Sequence, residues 1–173
     1  MKKLVLIGYM GCGKSTISVE LSKELHIPVV DLDQVIEENH KMSIQKIFET
    51  KGELYFRKME HQLFSELIQN DDTLIISTGG GTPCYFNNHV LLQNQSVFSV
   101  YLKGSIDTLY NRLQQSDLSK RPMLSNLNNT EAKEYIAKHL FERSYFYHFA
   151  SKVVTIDDKS VVQITNEIKQ LLA

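Results

Sequence analysis

Residues 8–16 of the chain read Gly-Tyr-Met-Gly-Cys-Gly-Lys-Ser-Thr, which is the G-x-x-x-x-G-K-[ST] pattern of a phosphate-binding loop. An apolar run at 4–7 precedes the loop and a stretch of helical periodicity follows it, so its context is strand, turn and helix. The glycines let backbone N–H groups converge on an anion, and the start of the helix adds its dipole. This segment therefore predicts a site for a nucleoside triphosphate.

Two side chains of the loop carry chemistry of their own. Lys14 supplies a mobile cation for the outer phosphates, and the Ser15 hydroxyl can bind magnesium. Two interpretations of Cys12 stay open: a thiolate that reagents would attack unless Mg-ATP protects it, or a small residue that fits a tight loop. The loop residues predicted to contact ATP are Gly11, Cys12, Gly13, Lys14, Ser15 and Thr16.

Two acidic residues, Asp31 and Asp33, follow the second apolar run. In an extended chain, residues two apart point the same way, so we expect both carboxylates to face one site beside the phosphate loop. One can serve magnesium, directly or through water, and the other can accept a hydroxyl proton or orient the hydroxyl. The alternative, which is compatible with that role, is that Asp33 caps a helix that begins at Gln34.

Three successive glycines, Gly79, Gly80 and Gly81, follow the third apolar run. They predict a place where a ligand approaches the main chain, although a turn with unusual dihedral angles would also need glycine. No Asp stands at the end of that run, where phosphate-loop NTPases usually carry the carboxylate for magnesium. Asp31 is therefore the better candidate for the carboxylate that serves magnesium.

The chain has four arginines, Arg57, Arg112, Arg121 and Arg143. Arginine binds carboxylates and phosphates in a two-pronged geometry that lysine cannot copy, but any one of them can instead pair with an acid at the surface. Arg121 lies in a polar stretch, 115–129, whose length is typical of lids, binding loops or disordered segments. A cation there suits a mobile lid over a triphosphate, and a solvated loop with incidental charge is the alternative.

These residues need a scaffold, and the sequence predicts an α/β domain. Strands are expected at 3–7, 28–31, 73–77, 97–102 and 152–156, and helices at 16–25, 44–68, 86–93, 106–114, 130–147 and 161–172. Alternating strands and helices predict a five-stranded parallel sheet with helices on both faces, which is a three-layer α/β/α architecture. Ligands of such sheets bind beyond the carboxyl ends of the strands, where the polar residues described above are expected.

Length and charge restrict the class of protein. The chain has 173 residues, enough for one domain with a full core, and a formal net charge of −1 with no basic block, so we expect no nucleic-acid or membrane partner. No segment approaches the length of a membrane span. Two cysteines are too few for a disulfide framework, which favours a reduced, cytoplasmic setting.

The chain resembles the shikimate kinases over nearly its whole length. The phosphate loop alone fits many kinases, but an ordered set of residues at the observed separations is more specific. That set comprises 8–16, Asp31, Asp33, Gly52, Glu53, Phe56, Arg57, Glu60, 79–81, Arg112, Arg121, Pro122, Arg143 and Tyr147. The resemblance implies a single kinase domain over 1–173 with a phosphate-loop, nucleoside-monophosphate-kinase-like fold, a substrate-binding region at about 34–68 and a mobile lid at about 115–129.

The activity implied by this resemblance is transfer of the γ-phosphoryl group of ATP to the 3-hydroxyl of shikimate, on the route to chorismate and the aromatic amino acids. Asp33 would hold the shikimate hydroxyls and act as base or orienter. Arg57 and Arg143 would grip the carboxylate, and the backbone of 79–81 would complete the pocket. Kinases of this size often work as monomers, which is our expectation here.

The resemblance also assigns roles at the ATP end of the site. Arg121 would close with the lid onto the phosphates and stabilise the transferred charge, which makes it a catalytic candidate together with Lys14 and Asp33. Arg112 would lie near the adenine. Ser15 and, through water, Asp31 would hold Mg²⁺.

The chain departs from the family pattern at three places. It reads Ser-Tyr-Phe between Arg143 and Tyr147, where the family usually has a proline and a leucine before the tyrosine. It has Thr82 and Pro83 after the glycines, where an aliphatic residue is expected, and the spacing from Arg112 to Arg121 is slightly longer than in some members.

Three other functions remain open from the sequence. A kinase of the same fold for gluconate would also need arginines for a carboxylate, and a nucleotide kinase would need base-reading contacts. A nucleotide-dependent switch that binds partners is the alternative from another class. The absence of a guanine-reading Asn-Lys-x-Asp motif from the sequence weakens that interpretation for GTP.

Overall fold

Five parallel strands in the order β2-β3-β1-β4-β5 form the central sheet of the computed structural model, which describes residues 2–115 and 127–173. Helices cover both faces of the sheet, as the alternating pattern predicts. The central strand β1 is buried along its whole length because a parallel sheet is covered on both sides. The strands are β1 (Lys3–Ile7), β2 (Val29–Asp31), β3 (Leu74–Ser77), β4 (Val97–Lys103) and β5 (Lys152–Thr155).

Helices connect these strands along the chain, and three of them follow one another between β2 and β3. They are α1 (Lys14–Leu25), α2 (Leu32–His40), α3 (Ile44–Lys51), α4 (Glu53–Gln69), α5 (Asn88–Leu91), α6 (Ile106–Gln114), α7 (Asn129–Tyr147) and α8 (Val161–Leu172), with a 3₁₀ turn at Thr82–Cys84. Helix α1 packs against α8 and against β3. Within residues 2–115 and 127–173, no helix combines the length and apolar character that crossing a membrane requires.

All five predicted strands are confirmed within one or two residues at each end. The helix predicted at 44–68 is wrong as a single element, since α3 ends at Lys51 and α4 begins at Glu53. Gly52 separates them with φ 81° and ψ 168°, a backbone conformation that essentially only glycine adopts. Apolar periodicity runs through this break because both helices bury their apolar faces in the same core.

The residues after β2 also differ from expectation. Helix α2 begins directly at Leu32, and its N-cap is Asp31, whose side chain accepts hydrogen bonds from the backbone N–H groups of Asp33 and Gln34. The interpretation that Asp33 caps a helix from Gln34 is therefore wrong. Asp33 lies in the first turn of the helix, where its negative charge also faces the positive end of the helix dipole.

The sheet brings three strand ends to one edge. Strands β2 and β1 both pair with β3, and Ser77 of β3 lies opposite Asp31 on one side and Leu6 on the other. The phosphate loop, the start of α2 and the glycines at 79–81 therefore follow neighbouring strands at their carboxyl ends. Of the predicted lid at 115–129, residues 116–126, which include Arg121, lie outside the described residues.

We predict that Gly52→Ala lowers the free energy of unfolding by roughly 1–3 kcal/mol, because alanine disfavours the backbone conformation at this position. A Cβ atom at Gly52 would meet nothing within 4 Å, so crowding adds nothing to the loss. Urea unfolding followed by circular dichroism measures the change. Lys58→Ala, on the exposed side of α4, is the control and should change the stability by less than about 0.5 kcal/mol. Equal stability of the two variants would contradict the requirement for glycine at position 52.

Candidate active site

The phosphate loop folds as its sequence predicts. All three of its glycines, at 8, 11 and 13, have positive φ, and helix α1 begins at Lys14 directly after them. The buried Lys14 ammonium donates to the carbonyl oxygens of Gly8 at 2.8 Å and Tyr9 at 3.1 Å, which holds the cation against the loop. This part of the chain forms the wall of a cavity of about 300 Å³.

Cys12 points into the protein rather than into this cavity. Its side chain is completely buried, and its Sγ atom lies 3.6 Å from Lys14 Nζ. A thiol without solvent exposure is poorly accessible to reagents, so the structure favours the interpretation of Cys12 as a small residue that fits a tight loop. Contact with a nucleotide at this position would come from the main chain, whose carbonyl oxygen accepts a hydrogen bond from Arg112 Nη1 at 3.2 Å.

Asp31 connects the loop to the next element. Its Oδ2 accepts a hydrogen bond from Ser15 Oγ at 3.0 Å, while its Oδ1 caps α2. Ser77 Oγ lies 3.5 Å from Ser15 Oγ, at the strand end where other phosphate-loop proteins place the acid for magnesium. The hydroxyl and the carboxylate predicted to serve the metal are therefore neighbours.

A metal ion at this place would depend on ligands beyond the protein. Among residues 2–115 and 127–173, no group of three or more His, Cys, Asp or Glu side chains is placed to hold a metal ion. Magnesium commonly uses only one or two carboxylates and takes its other ligands from water and substrate phosphates. Ser15 and Asp31 fit that mode of binding.

Asp33 lies deeper in the site. An ideal Cβ on Gly79 would be 3.0 Å from Asp33 Oδ1, so the glycine makes room for this carboxylate. Burial, reinforced by the neighbouring carboxylates of Asp31 and Glu60, raises the pKa of Asp33 to about 6, although Lys14 and Arg57 act in the opposite direction. A carboxylate with a pKa near neutrality is well suited to accept a proton and release it again.

Arg57 is held on several sides. Its Nη1 donates to Glu60 Oε2 at 2.8 Å and its Nε donates to Glu53 Oε1 at 3.4 Å. The guanidinium carbon lies 4.1 Å from the centre of the Tyr85 ring, a cation–π contact. A Cβ on Gly81 would come within 2.8 Å of Arg57 Nη2, so only glycine allows this approach.

Arg143 reaches the same region from α7. The helix continues unbroken from Arg143 to Tyr147, although the family resemblance leads one to expect a proline between these two residues, and Arg143 still lines the cavity that Arg57 lines. Tyr147 Oη donates to Gly80 O at 2.5 Å, which joins this helix to the glycine turn. The Tyr147 hydroxyl, hydrogen-bonded to Arg143, is one reason that the pKa of Arg143 is raised despite its burial.

Two cavities meet at Asp33. The first is lined by the phosphate loop and by Asp31 and Asp33. A second, of about 190 Å³, is lined by Arg57 and Arg143, by the three glycines at 79–81 and by apolar side chains of α3 and α4. Both cavities are lined by Met10, Asp33, Gly79 and Gly80. The arrangement can hold two ligands end to end, with a carboxylate at their junction.

One predicted residue, Arg112, stands apart from this junction. Arg112 is not among the residues that line these two cavities; it donates to Cys12 O and, at 3.4 Å, to Ile156 O, behind the phosphate loop. Arg121 lies outside the described residues.

Sequence reasoning assigned no role to several residues that build the site. Glu60 is completely buried beside Arg57. It lies three residues after Arg57 in a stretch of helical periodicity, and this spacing could have predicted the ion pair. Met10 lines both cavities but is an unspecified position of the loop motif. Thr82 and Tyr85 come into contact with Glu60 and Arg57 only through folding.

Comparison with known proteins gives one consistent result. A family model described as "Shikimate kinase" matches residues 10–173. A shikimate kinase of Flavobacterium johnsoniae is 54% identical over 173 residues and covers 100% of both chains, and one of Flavobacterium psychrophilum is 48% identical with 99% of each chain covered.

Solved structures are similar as well. The crystal structure of shikimate kinase from Bacteroides thetaiotaomicron has a TM-score of 0.89 and 30% identity, and the match covers 98% of this chain and 97% of that one. The shikimate kinase of Acinetobacter baumannii in complex with shikimate has a TM-score of 0.87 and 27% identity, covering 99% of this chain and 93% of that one.

We predict that Asp33→Asn stabilises the protein at pH 8 but not at pH 4. The pKa of Asp33 in the folded state, about 6, lies above its ordinary value of 3.8, so folded-state stability is lost as the pH rises through that window. Removing the ionisable group should raise the free energy of unfolding at pH 8, relative to pH 4, by roughly 1–3 kcal/mol. Urea unfolding at both pH values measures this.

The control for this prediction is Glu134→Gln, which changes an exposed carboxylate of α7. Its effect on stability should differ little between the two pH values. If Asp33→Asn changes stability equally at pH 4 and pH 8, the carboxylate does not carry the buried charge assigned to it.

Proposed function

Because the chain belongs to the shikimate kinase family, we propose that it transfers the γ-phosphoryl group of ATP to the 3-hydroxyl of shikimate, producing shikimate 3-phosphate and ADP on the route to chorismate. The observation that carries the proposal is the pair of cavities that share Asp33. One has the loop for a triphosphate, and the other has two arginines for a small anion. A phosphoryl donor and an acceptor in these cavities would meet at the carboxylate.

The phosphate loop binds the donor in this proposal. Backbone N–H groups from Gly11 to Thr16 surround the phosphates, and Lys14 neutralises their charge. Ser15 and, through water, Asp31 are the residues that would hold Mg²⁺, which neutralises charge on the phosphate oxygens when bound. The hydrogen bond of 3.0 Å between Ser15 and Asp31 supports this pairing.

Asp33 acts on the acceptor hydroxyl. Its position at the junction of the two cavities puts a carboxylate between the donor and the acceptor. With a pKa of about 6 it is mostly ionised at neutral pH, so it can accept a hydrogen bond from the hydroxyl and orient the oxygen for attack. Proton transfer to Asp33 balances the loss of the hydroxyl proton as the new O–P bond forms, while the bond from the γ-phosphorus to the bridging oxygen breaks and ADP leaves with that oxygen.

The second cavity holds the acceptor. Shikimate carries one carboxylate and three hydroxyls, and Arg57 and Arg143 provide two-pronged donors for a carboxylate. The glycines at 79–81 keep the main chain close to the bound molecule. The residues of α3 and α4 that line this cavity support the predicted substrate-binding region at about 34–68 within one kinase domain.

Several expectations remain predictions. They are the lid at about 115–129, the catalytic role of Arg121, the position of Arg112 near the adenine, the monomeric state and the cytoplasmic location.

Substrate-dependent ADP release tests the proposed function. With ATP and Mg²⁺ present, we expect ADP formation to depend on shikimate and to remain at background with gluconate or AMP, because the chain belongs to the shikimate kinase family and AMP lacks a carboxylate for the arginines. A coupled assay for ADP measures this. Turnover with gluconate or AMP but not with shikimate would overturn the proposal.

Substitutions of Asp33 and of Arg143 should change different kinetic constants. We expect Asp33→Asn to lower kcat by roughly a hundredfold or more while ATP binding stays intact, since it removes the proton acceptor. Arg143→Ala should raise the KM for shikimate by about tenfold or more with a smaller effect on kcat, since it removes a carboxylate ligand.

The control for Arg143→Ala is Lys138→Ala, which removes one positive charge from the exposed side of the same helix. Steady-state kinetics with varied shikimate should show an unchanged KM for this variant. An unchanged KM for Arg143→Ala as well would contradict the role assigned to Arg143.

A further inference from the structure

We propose that Thr82 is a positioning residue of the acceptor cavity: its hydroxyl orients Glu60 and, through Glu60, the guanidinium of Arg57. The inference rests on the proposed function, because it concerns how Arg57 is aimed at the carboxylate of the acceptor. Thr82 begins the 3₁₀ turn after the three glycines, at a position where the family resemblance leads one to expect an aliphatic residue. It is completely buried.

The hydroxyl of Thr82 has a specific partner. Thr82 Oγ1 donates a hydrogen bond of 2.6 Å to Glu60 Oε1, and Arg57 Nη1 donates one of 2.8 Å to the other oxygen, Oε2. Glu60 is itself completely buried, so protein donors replace water at its carboxylate. An aliphatic side chain at position 82 would remove one of these donors from a buried charge.

The bond also fixes Glu60 within a crowded group. An ideal Cβ on Gly79 would lie 3.0 Å from Asp33 Oδ1, 3.1 Å from Thr82 Oγ1 and 3.2 Å from Glu60 Oε1. The hydroxyl and two carboxylate oxygens therefore gather around one glycine. The single proton of the Thr82 hydroxyl goes to Glu60, so this bond holds the Glu60 carboxylate within the group.

Thr82 is held in turn by the next helix. Asn88 Nδ2 donates to Thr82 O at 2.9 Å, and the Thr82 N–H donates to Gly79 O at 3.2 Å. The side-chain oxygen of the buried Asn88 lies 2.6 Å from His61 Nδ1, which is the donor of that bond because the oxygen can only accept. This network positions the Thr82 hydroxyl before any ligand binds.

The expected consequence is selective. Losing the bond frees Glu60 to rotate, and Arg57 loses the fixed direction from which it meets a carboxylate. Phosphate-loop contacts lie in the other cavity, so ATP binding should not change. A general loss of packing would instead weaken the binding of both substrates and lower the thermal stability.

The test compares three variants in steady-state kinetics. Thr82→Val keeps the shape and removes the hydroxyl, so the KM for shikimate should rise about tenfold or more while the KM for ATP changes less than about twofold. Thr82→Ser restores a hydroxyl and should recover the wild-type KM. Thr165→Val is the matched control, because Thr165 is buried in α8 and its Oγ1 has no hydrogen-bond partner among the described residues.

The outcomes separate this inference from the proposed function. Wild-type turnover with shikimate, together with an unchanged KM in Thr82→Val, overturns the positioning role of Thr82 alone. A rise in both KM values in Thr82→Val, or a failure of Thr82→Ser to recover the KM for shikimate, also overturns it. Wild-type protein without shikimate-dependent ADP release overturns the proposed function and the inference with it.

Discussion

The three hydrogen bonds to the Asp31 carboxylate organise the donor half of the site. One oxygen receives the N–H groups of Asp33 and Gln34 and so begins α2 at the end of β2. The other oxygen receives the Ser15 hydroxyl, which ties α2 to the start of the helix after the phosphate loop. Because the Asp31 carboxylate fixes the first turn of α2 against the phosphate loop, it also sets the position of Asp33 in that turn.

Charge balance explains how a partly buried acid can sit beside a second acid. Asp33 has Asp31 and Glu60 as neighbours, and the cations Lys14 and Arg57 offset only part of their effect. The pKa near neutrality is the result, and stability at alkaline pH is lower because of it. The same balance leaves a carboxylate that can accept a proton at the junction of the two cavities, so function and stability place opposite demands on one residue.

Most of the scaffold was predictable because its signals are local. The five strands and the phosphate loop are continuous segments whose apolar runs and glycines act on their own backbone. The break at Gly52 was not predictable from periodicity, since the apolar positions continue through it. The i, i+2 rule that placed Asp31 and Asp33 on one side assumes an extended chain, whereas Asp33 is helical. The two carboxylates still line one cavity, but for a different geometric reason.

The sequence by itself determined the phosphate loop, the order of the strands and helices and, through the spacing of acids, glycines and arginines, the family. Tertiary structure alone decided which partner each side chain has: Cys12 turns inward, Thr82 meets Glu60 across 22 residues, and Tyr147 meets Gly80 across 67. The physical reason is that a hydrogen bond or a buried contact depends on the positions of two distant segments after packing. Local patterns report only the conformation of a segment and the face that it buries.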